Sequence, residues 1–66
     1  MKKWYNCEIE FRTVADSFMF FLVQMGVYCE RSSAPGAHRF EIHATPAEAE
    51  MIGAWLDPLV LVEVRA

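Results

Sequence analysis

Apolar residues in this chain recur at every second position, then at every third or fourth, then at every second again, and the cycle repeats after a proline–glycine turn. Period two suits a strand with one buried face, and a period near 3.6 suits one face of a helix. The implied order is strand, helix, strand, strand, helix, strand. In a chain of 66 residues, that order leaves room for one domain and few topologies.

Over residues 4–12, Tyr5, Cys7, Ile9 and Phe11 alternate with Asn6, Glu8, Glu10 and Arg12, which predicts a strand with one wet face. Thr13 and Asp16 have the spacing of a helix cap, and Val14, Phe18, Phe21, Leu22 and Met25 then share one helical face. The spacing predicts a helix over 14–25, with Gly26 as its left-handed terminator. A second strand is expected over 27–32, with Val27, Cys29 and Arg31 on one face and Tyr28 and Glu30 on the other. The cluster at 32–36 is a turn, and a third strand over 37–43 sets His38, Phe40 and Ile42 against Arg39, Glu41 and His43. Thr45-Pro46-Ala47-Glu48 combines an N-cap, a first-turn proline and a capping-box glutamate. It predicts a helix over 46–56, with Ala49, Met51, Ile52, Trp55 and Leu56 on its buried side and Asp57-Pro58 as its stop. A last strand is expected over 59–64, with Val60, Val62 and Val64 facing inward.

With right-handed crossovers, this order resembles the α+β, βαββαβ ferredoxin-like two-layer sandwich: a four-stranded antiparallel sheet, order 4-1-3-2, with two helices on one face. The helix-facing set is then Tyr5, Cys7, Ile9, Phe11, Val27, Cys29, Phe40, Ile42, Val60, Val62 and Val64. The open face carries Asn6, Glu8, Glu10, Arg12, Tyr28, Glu30, Arg39, Glu41, His43, Leu59, Leu61, Glu63 and Arg65. Cys7 and Cys29 lie on strands separated by a third, about 9.6 Å apart. A disulfide needs Cα atoms within about 7 Å, so both thiols are expected free and buried.

Several chemistries are disfavoured. A net charge of −3 and a pI near 5.2 lack the basic footprint of a nucleic-acid binder, and no direct nucleic-acid partner is expected. The RNA-recognition version of this fold stacks bases on open-face aromatics of its central strands, where this chain has Glu8, Glu10 and Glu41. His38 and His43 are five apart on one strand and face opposite sides, so they cannot share a metal. There is no CxxC, no phosphate loop and no paired catalytic group, so neither a metal, a cofactor nor an enzymatic activity is expected. An enzyme would need an arrangement of His43, Glu41 and Glu10. The longest apolar run, 18–23, is too short for a membrane span, and no apolar stretch follows Lys2 and Lys3. No membrane partner and a cytoplasmic location are expected.

The open face suggests a function. Glu8, Glu10, Glu30, Glu41 and Glu63, with Tyr28, form an expected acidic platform for a protein partner with a basic surface. Phe20, on the polar side of the first helix with Met19 beside it, is a second candidate contact. In size and charge the chain resembles small acidic phage-encoded inhibitors such as anti-CRISPR proteins. That resemblance implies a non-catalytic module masking a basic nucleic-acid-binding surface of a host effector. The alternative is a homodimer or higher homo-oligomer that senses a small ligand between subunits, as ACT-like domains do. The Asp-x-Pro-Gly helix entry usual in that family is missing here.

Overall fold

The computed structural model describes residues 1–65, except for the side chain of Arg65. In order, the elements are β1 (Lys3–Ile9), α1 (Arg12–Met25), β2 (Tyr28–Ala34), β3 (Ala37–Ala44), α2 (Pro46–Leu56) and β4 (Val62–Arg65). The strands pair antiparallel in the order β2-β3-β1-β4, which is the expected 4-1-3-2 order read from the opposite edge. The fold is the α+β ferredoxin-like sandwich.

One face of the central strands forms the core with both helices. Tyr5, Cys7 and Ile9 of β1 and Phe40, Ile42 and Ala44 of β3 meet Ala15, Phe18 and Leu22 of α1 and Ala49, Ile52 and Leu56 of α2. Phe18 stands edge-on to Phe40, with ring centroids 4.9 Å apart. Arg31 ties β2 to α1: its guanidinium lies 2.9 Å from Asp16 and rests over the Phe40 ring. Asp16 thus serves this ion pair and not a helix cap.

The local signals act as their chemistry dictates where the match is close. Thr45 Oγ1 accepts from the Glu48 backbone N–H at 3.2 Å, and Glu48 Oε1 accepts from the Thr45 N–H at 2.9 Å. Gly26 takes φ +72° and donates back to the carbonyls of Leu22 and Val23. Pro35 and Gly36, the latter at φ +78°, close the β2–β3 hairpin between paired Ala34 and Ala37.

Other expectations need correction. β1 ends at Ile9, not at residue 12, because Ile9 pairs with His38 one position from the start of β3, where the ladder runs out. α1 therefore starts two residues early, at Arg12. Its N-cap is Phe11, with no side-chain hydrogen bond, and Thr13 caps nothing. Phe11 is exposed and not in the core, and Arg12 lies on the helix and not on the open face. The buried helical stripe rotates to Ala15, Phe18 and Leu22, leaving Val14 exposed and Phe21 and Met25 at its margin. On α2, Met51 points to solvent, while Trp55 stays partly exposed at the rim, stacked on Phe21 at 5.5 Å. β2 runs over 28–34, two residues later at its end than expected.

The largest correction is in the last strand, which begins at 62 and not at 59. Val62 lies opposite Asn6 and Glu63 opposite Tyr5, with a bulge between Trp4 and Tyr5. A one-residue slip turns every side chain over. Val60, Val62 and Val64 are consequently exposed, and Leu61 packs on the core. Leu59 and Leu61 line a groove along α2 with Tyr5, Ala49 and Gly53, not the open face. The slip sets Leu61 against the core, while Leu59, ahead of the strand, stays exposed. Arg65, also expected on the open face, has its side chain outside the described residues.

Candidate functional site

The face of the sheet away from the helices is ordered in rows by the strand register. Directly opposed residues share a face, so Tyr28, His43 and Trp4 form one row across β2, β3 and β1. Glu30, Glu41 and Asn6 form the next row, flanked by Val62 of β4. Ser32, Arg39 and Glu8 form the third.

The rows differ in how far they satisfy themselves. In the third, Arg39 Nε and Nη2 donate to Glu8 Oε2 at 3.1 and 2.7 Å. That hydrogen bond, with the carboxylate charge behind it, raises the Arg39 pKa. Glu8 is therefore on the open face as expected, but its charge is spent within the sheet. The middle row sets Glu30 directly opposite Glu41, and among the described residues neither forms an ion pair. Like charges across a ladder repel. The first row is aromatic. Trp4 stacks on His43 at 4.6 Å and 22°, and Tyr28 stands edge-on to Trp4 at 6.1 Å and 86°. Tyr28 joins the two rows, because its hydroxyl donates to Glu30 Oε2 at 2.6 Å. That bond, and the negative charge beside it, raises the Tyr28 pKa.

Of the expected acidic platform, Glu8, Glu30, Glu41 and Tyr28 share the open face. Glu63 does not: it pairs opposite buried Tyr5 and lies 3.6 Å from Lys3, on the helix side. Glu10 lies in the bend after β1, beyond the sheet, at the opposite end of that strand from the position paired with His43. His43, Glu41 and Glu10 are thus not brought together. The sequence reading missed Trp4. Trp4 stands two positions before Asn6, so the alternation itself carries the signal that puts it on the open face.

Phe20 is exposed on α1 as expected, and it lines a groove of about 520 Å³ with Ser17, Phe21, Gln24 and Trp55. Met19 does not join it. It turns inward, where Cys29 Sγ donates to Met19 Sδ at 3.6 Å. Both cysteines are free. Burial, helped by the neighbouring Glu8, pushes the Cys7 thiol up to about 12. Cys29 is only half-buried, not fully as expected, and burial raises its pKa as well. Cys7 and Cys29 pair with Phe40 and Ile42 of the intervening strand. Among the described residues, no three His, Cys, Asp or Glu side chains gather in a way that could hold a metal ion. No described helix is long and apolar enough to cross a membrane. No protein-family model, curated protein or solved structure matches this chain.

Proposed function

We propose that this chain is a non-catalytic protein-binding module whose open sheet face receives a basic surface of its partner. The observation that carries this reading is the middle row, where Glu30 and Glu41 face each other beside the exposed ring of Tyr28. A cation from a partner relieves their repulsion and meets a ring that favours positive charge over its face. Glu8 contributes little, since Arg39 already neutralises it. The partner class is a protein rich in arginine and lysine, and masking of a nucleic-acid-binding surface, in the manner of small acidic phage inhibitors, is the specific form proposed. The overall charge of −3 supports steering toward such a surface.

The test compares capture by the immobilised wild type and by a Glu30→Lys/Glu41→Lys variant, with far-UV circular dichroism confirming that both are folded. The captured partner is then remeasured with purified components. The reading expects at least a tenfold loss of affinity for the variant; equal binding refutes it. A second reading, self-association into a regulatory oligomer, draws support from the exposed Val62 and Val64 of the edge strand β4 and Val60 just before it. A monomer by sedimentation at millimolar concentration excludes it.

A further inference from the structure

We propose that the groove between α2 and the segment leading into β4 is a binding site for a small apolar amine. It lies on the helix side of the sheet, away from the open face, and does not depend on the partner proposed there.

The groove follows from the spacing of α2. Pro46, Ala49, Glu50 and Gly53 fall three or four residues apart and share one helical face. After the helix the chain turns back, held by the Leu59 N–H on the Leu56 carbonyl at 2.8 Å, and brings Leu59 and Leu61 to the other wall. The space between is about 430 Å³, within the range of small-molecule pockets. Gly53 keeps it open, since a Cβ built there meets no atom within 4 Å. Glycine weakens a helix interior relative to alanine, and among the described residues no contact requires it here.

Tyr5 gives the groove a polar anchor. It stands on β1 with only 7% of its surface exposed. Polar groups placed so deeply are normally hydrogen-bonded. Among the described residues the Tyr5 hydroxyl has no hydrogen-bond partner. Yet it is not sealed in the core, and the groove is the space that Tyr5 lines. Its O–H and its lone pairs are thus presented to whatever enters, and a ligand hydrogen bond there meets a group that the fold leaves unmet.

Glu50 sets the charge of the occupant. It lines the same groove from an exposed position on α2, and among the described residues it forms no ion pair. A carboxylate ligand is repelled there, and an alcohol serves Tyr5 but gains nothing from Glu50. A primary ammonium carries one positive charge and three N–H donors. It suits both the Glu50 carboxylate and the Tyr5 oxygen, while its hydrocarbon lies on Leu59, Leu61 and Ala49. Removing that hydrocarbon from water supplies the rest of the affinity.

The probe is hexylamine, with hexanol and hexanoate as controls, titrated into the full chain and followed by amide chemical shifts at low ionic strength. The expected result is saturable binding with a Kd of about 1 mM and shifts centred on Tyr5, Ala49, Glu50, Gly53 and Leu61. Hexanol and hexanoate are expected to bind about fivefold more weakly or worse. Tyr5→Phe deletes an oxygen without a partner in the fold, so it is expected to keep or raise the melting temperature and to weaken hexylamine about fivefold. Gly53→Ala is expected to raise the melting temperature, and Gly53→Leu to fill the groove and abolish binding. The Glu30→Lys/Glu41→Lys variant is expected to bind hexylamine like the wild type. Shifts that never saturate or that centre on Glu30 and Glu41, wild-type affinity in Tyr5→Phe, or binding kept in Gly53→Leu overturns the site. A lower melting temperature for Gly53→Ala means that the chain itself fills the groove, and overturns it too. Hexanol or hexanoate bound as tightly as hexylamine overturns the amine as its ligand.

Discussion

Removing the charge of Glu41 is expected to stabilise this protein. Glu41 lies directly across the β2–β3 ladder from Glu30, and among the described residues neither is ion-paired. Cross-strand pairs of this kind are worth about 0.2–1 kcal/mol, with like charges on the unfavourable side. Glu41 also attracts Arg39, though less than Glu8 does through its hydrogen bonds, and Glu41→Gln gives up that weak attraction. The net gain is then about 0.5 kcal/mol. For a domain of this size, 1 kcal/mol moves the melting temperature by roughly 4–8 °C, so Glu41→Gln is expected to raise it by about 2–4 °C. The gain is electrostatic between exposed groups, and in 1 M salt the screening length falls to about 3 Å, so most of it disappears there. Glu30→Gln relieves the same repulsion but turns the Tyr28 hydroxyl's bond to a carboxylate into one to a neutral amide. Its gain is therefore smaller. Thermal and urea unfolding at 20 mM and 1 M NaCl measure all three quantities. A lower melting temperature for Glu41→Gln, a gain that survives in 1 M salt, or a larger gain for Glu30→Gln refutes the assignment of the middle row as a strained pair.

Other expectations test the frame that carries the site. Thr45→Ala removes the acceptor of the capping box and is expected to cost about 1 kcal/mol, read as a lower urea midpoint at unchanged slope. Phe18→Ala empties a fully buried position between Phe40 and Trp55 and is expected to cost about 3–5 kcal/mol, comparable with the whole stability of so short a chain, so that loss of cooperative unfolding is the outcome to look for. The Thr45 N–H holds the Glu48 carboxyl below its usual value of 4.5 in the folded state. The unfolded chain then binds the extra proton first. The contribution of Glu48 is present above pH 4.5 and is lost as pH falls below it, so Glu48→Gln is expected to show a shallower loss of stability on acidification. At pH 8, Cys29 is expected to be alkylated by iodoacetamide well before Cys7, whose thiol is held near 12 by burial; comparable rates by intact mass contradict the placement of Cys7 in the core.

The order of elements, the capping box and the proline–glycine turn were legible because each is a local signal with a local cause. Where the outcome depended on a partner segment, the sequence was silent. The alternation from Tyr5 to Arg12 continues past the strand, since alternation records which side chains are apolar and not where the neighbouring strand stops at Ala37. The same dependence misled the reading of β4. Both the leucines and the valines of 59–64 alternate with period two, so either set can face inward, and the pairing of Val62 with Asn6 decides between them. Most of the candidate site followed from parity alone: Asn6, Glu8, Tyr28, Glu30, Arg39, Glu41 and His43 fall on the open face. The facing of Glu30 with Glu41 and the meeting of Trp4 with His43 and Tyr28 needed the register across three strands.

That register gives the face a direction. Moving along β3 from Arg39 through Glu41 to His43, the sheet passes from a charge pair closed on itself, to two like charges left open, to stacked rings. On the function proposed above, charge left uncompensated on the surface costs the fold stability, and a basic partner recovers that cost. Here Arg39, whose side chain is placed on the face among the described residues, sits at one end, already held by Glu8, and Arg65 stands opposite Trp4 at the other end, its side chain outside the described residues. Opening the Arg39–Glu8 pair, through Glu8→Gln with Glu41 kept, serves as the directional control. Freed from Glu8, Arg39 is expected to turn toward Glu41 and compete with any incoming cation, so that binding of a basic partner weakens although the residue removed never touches it. Unchanged or stronger binding by Glu8→Gln means that the face acts through its total charge and not through the order of its rows.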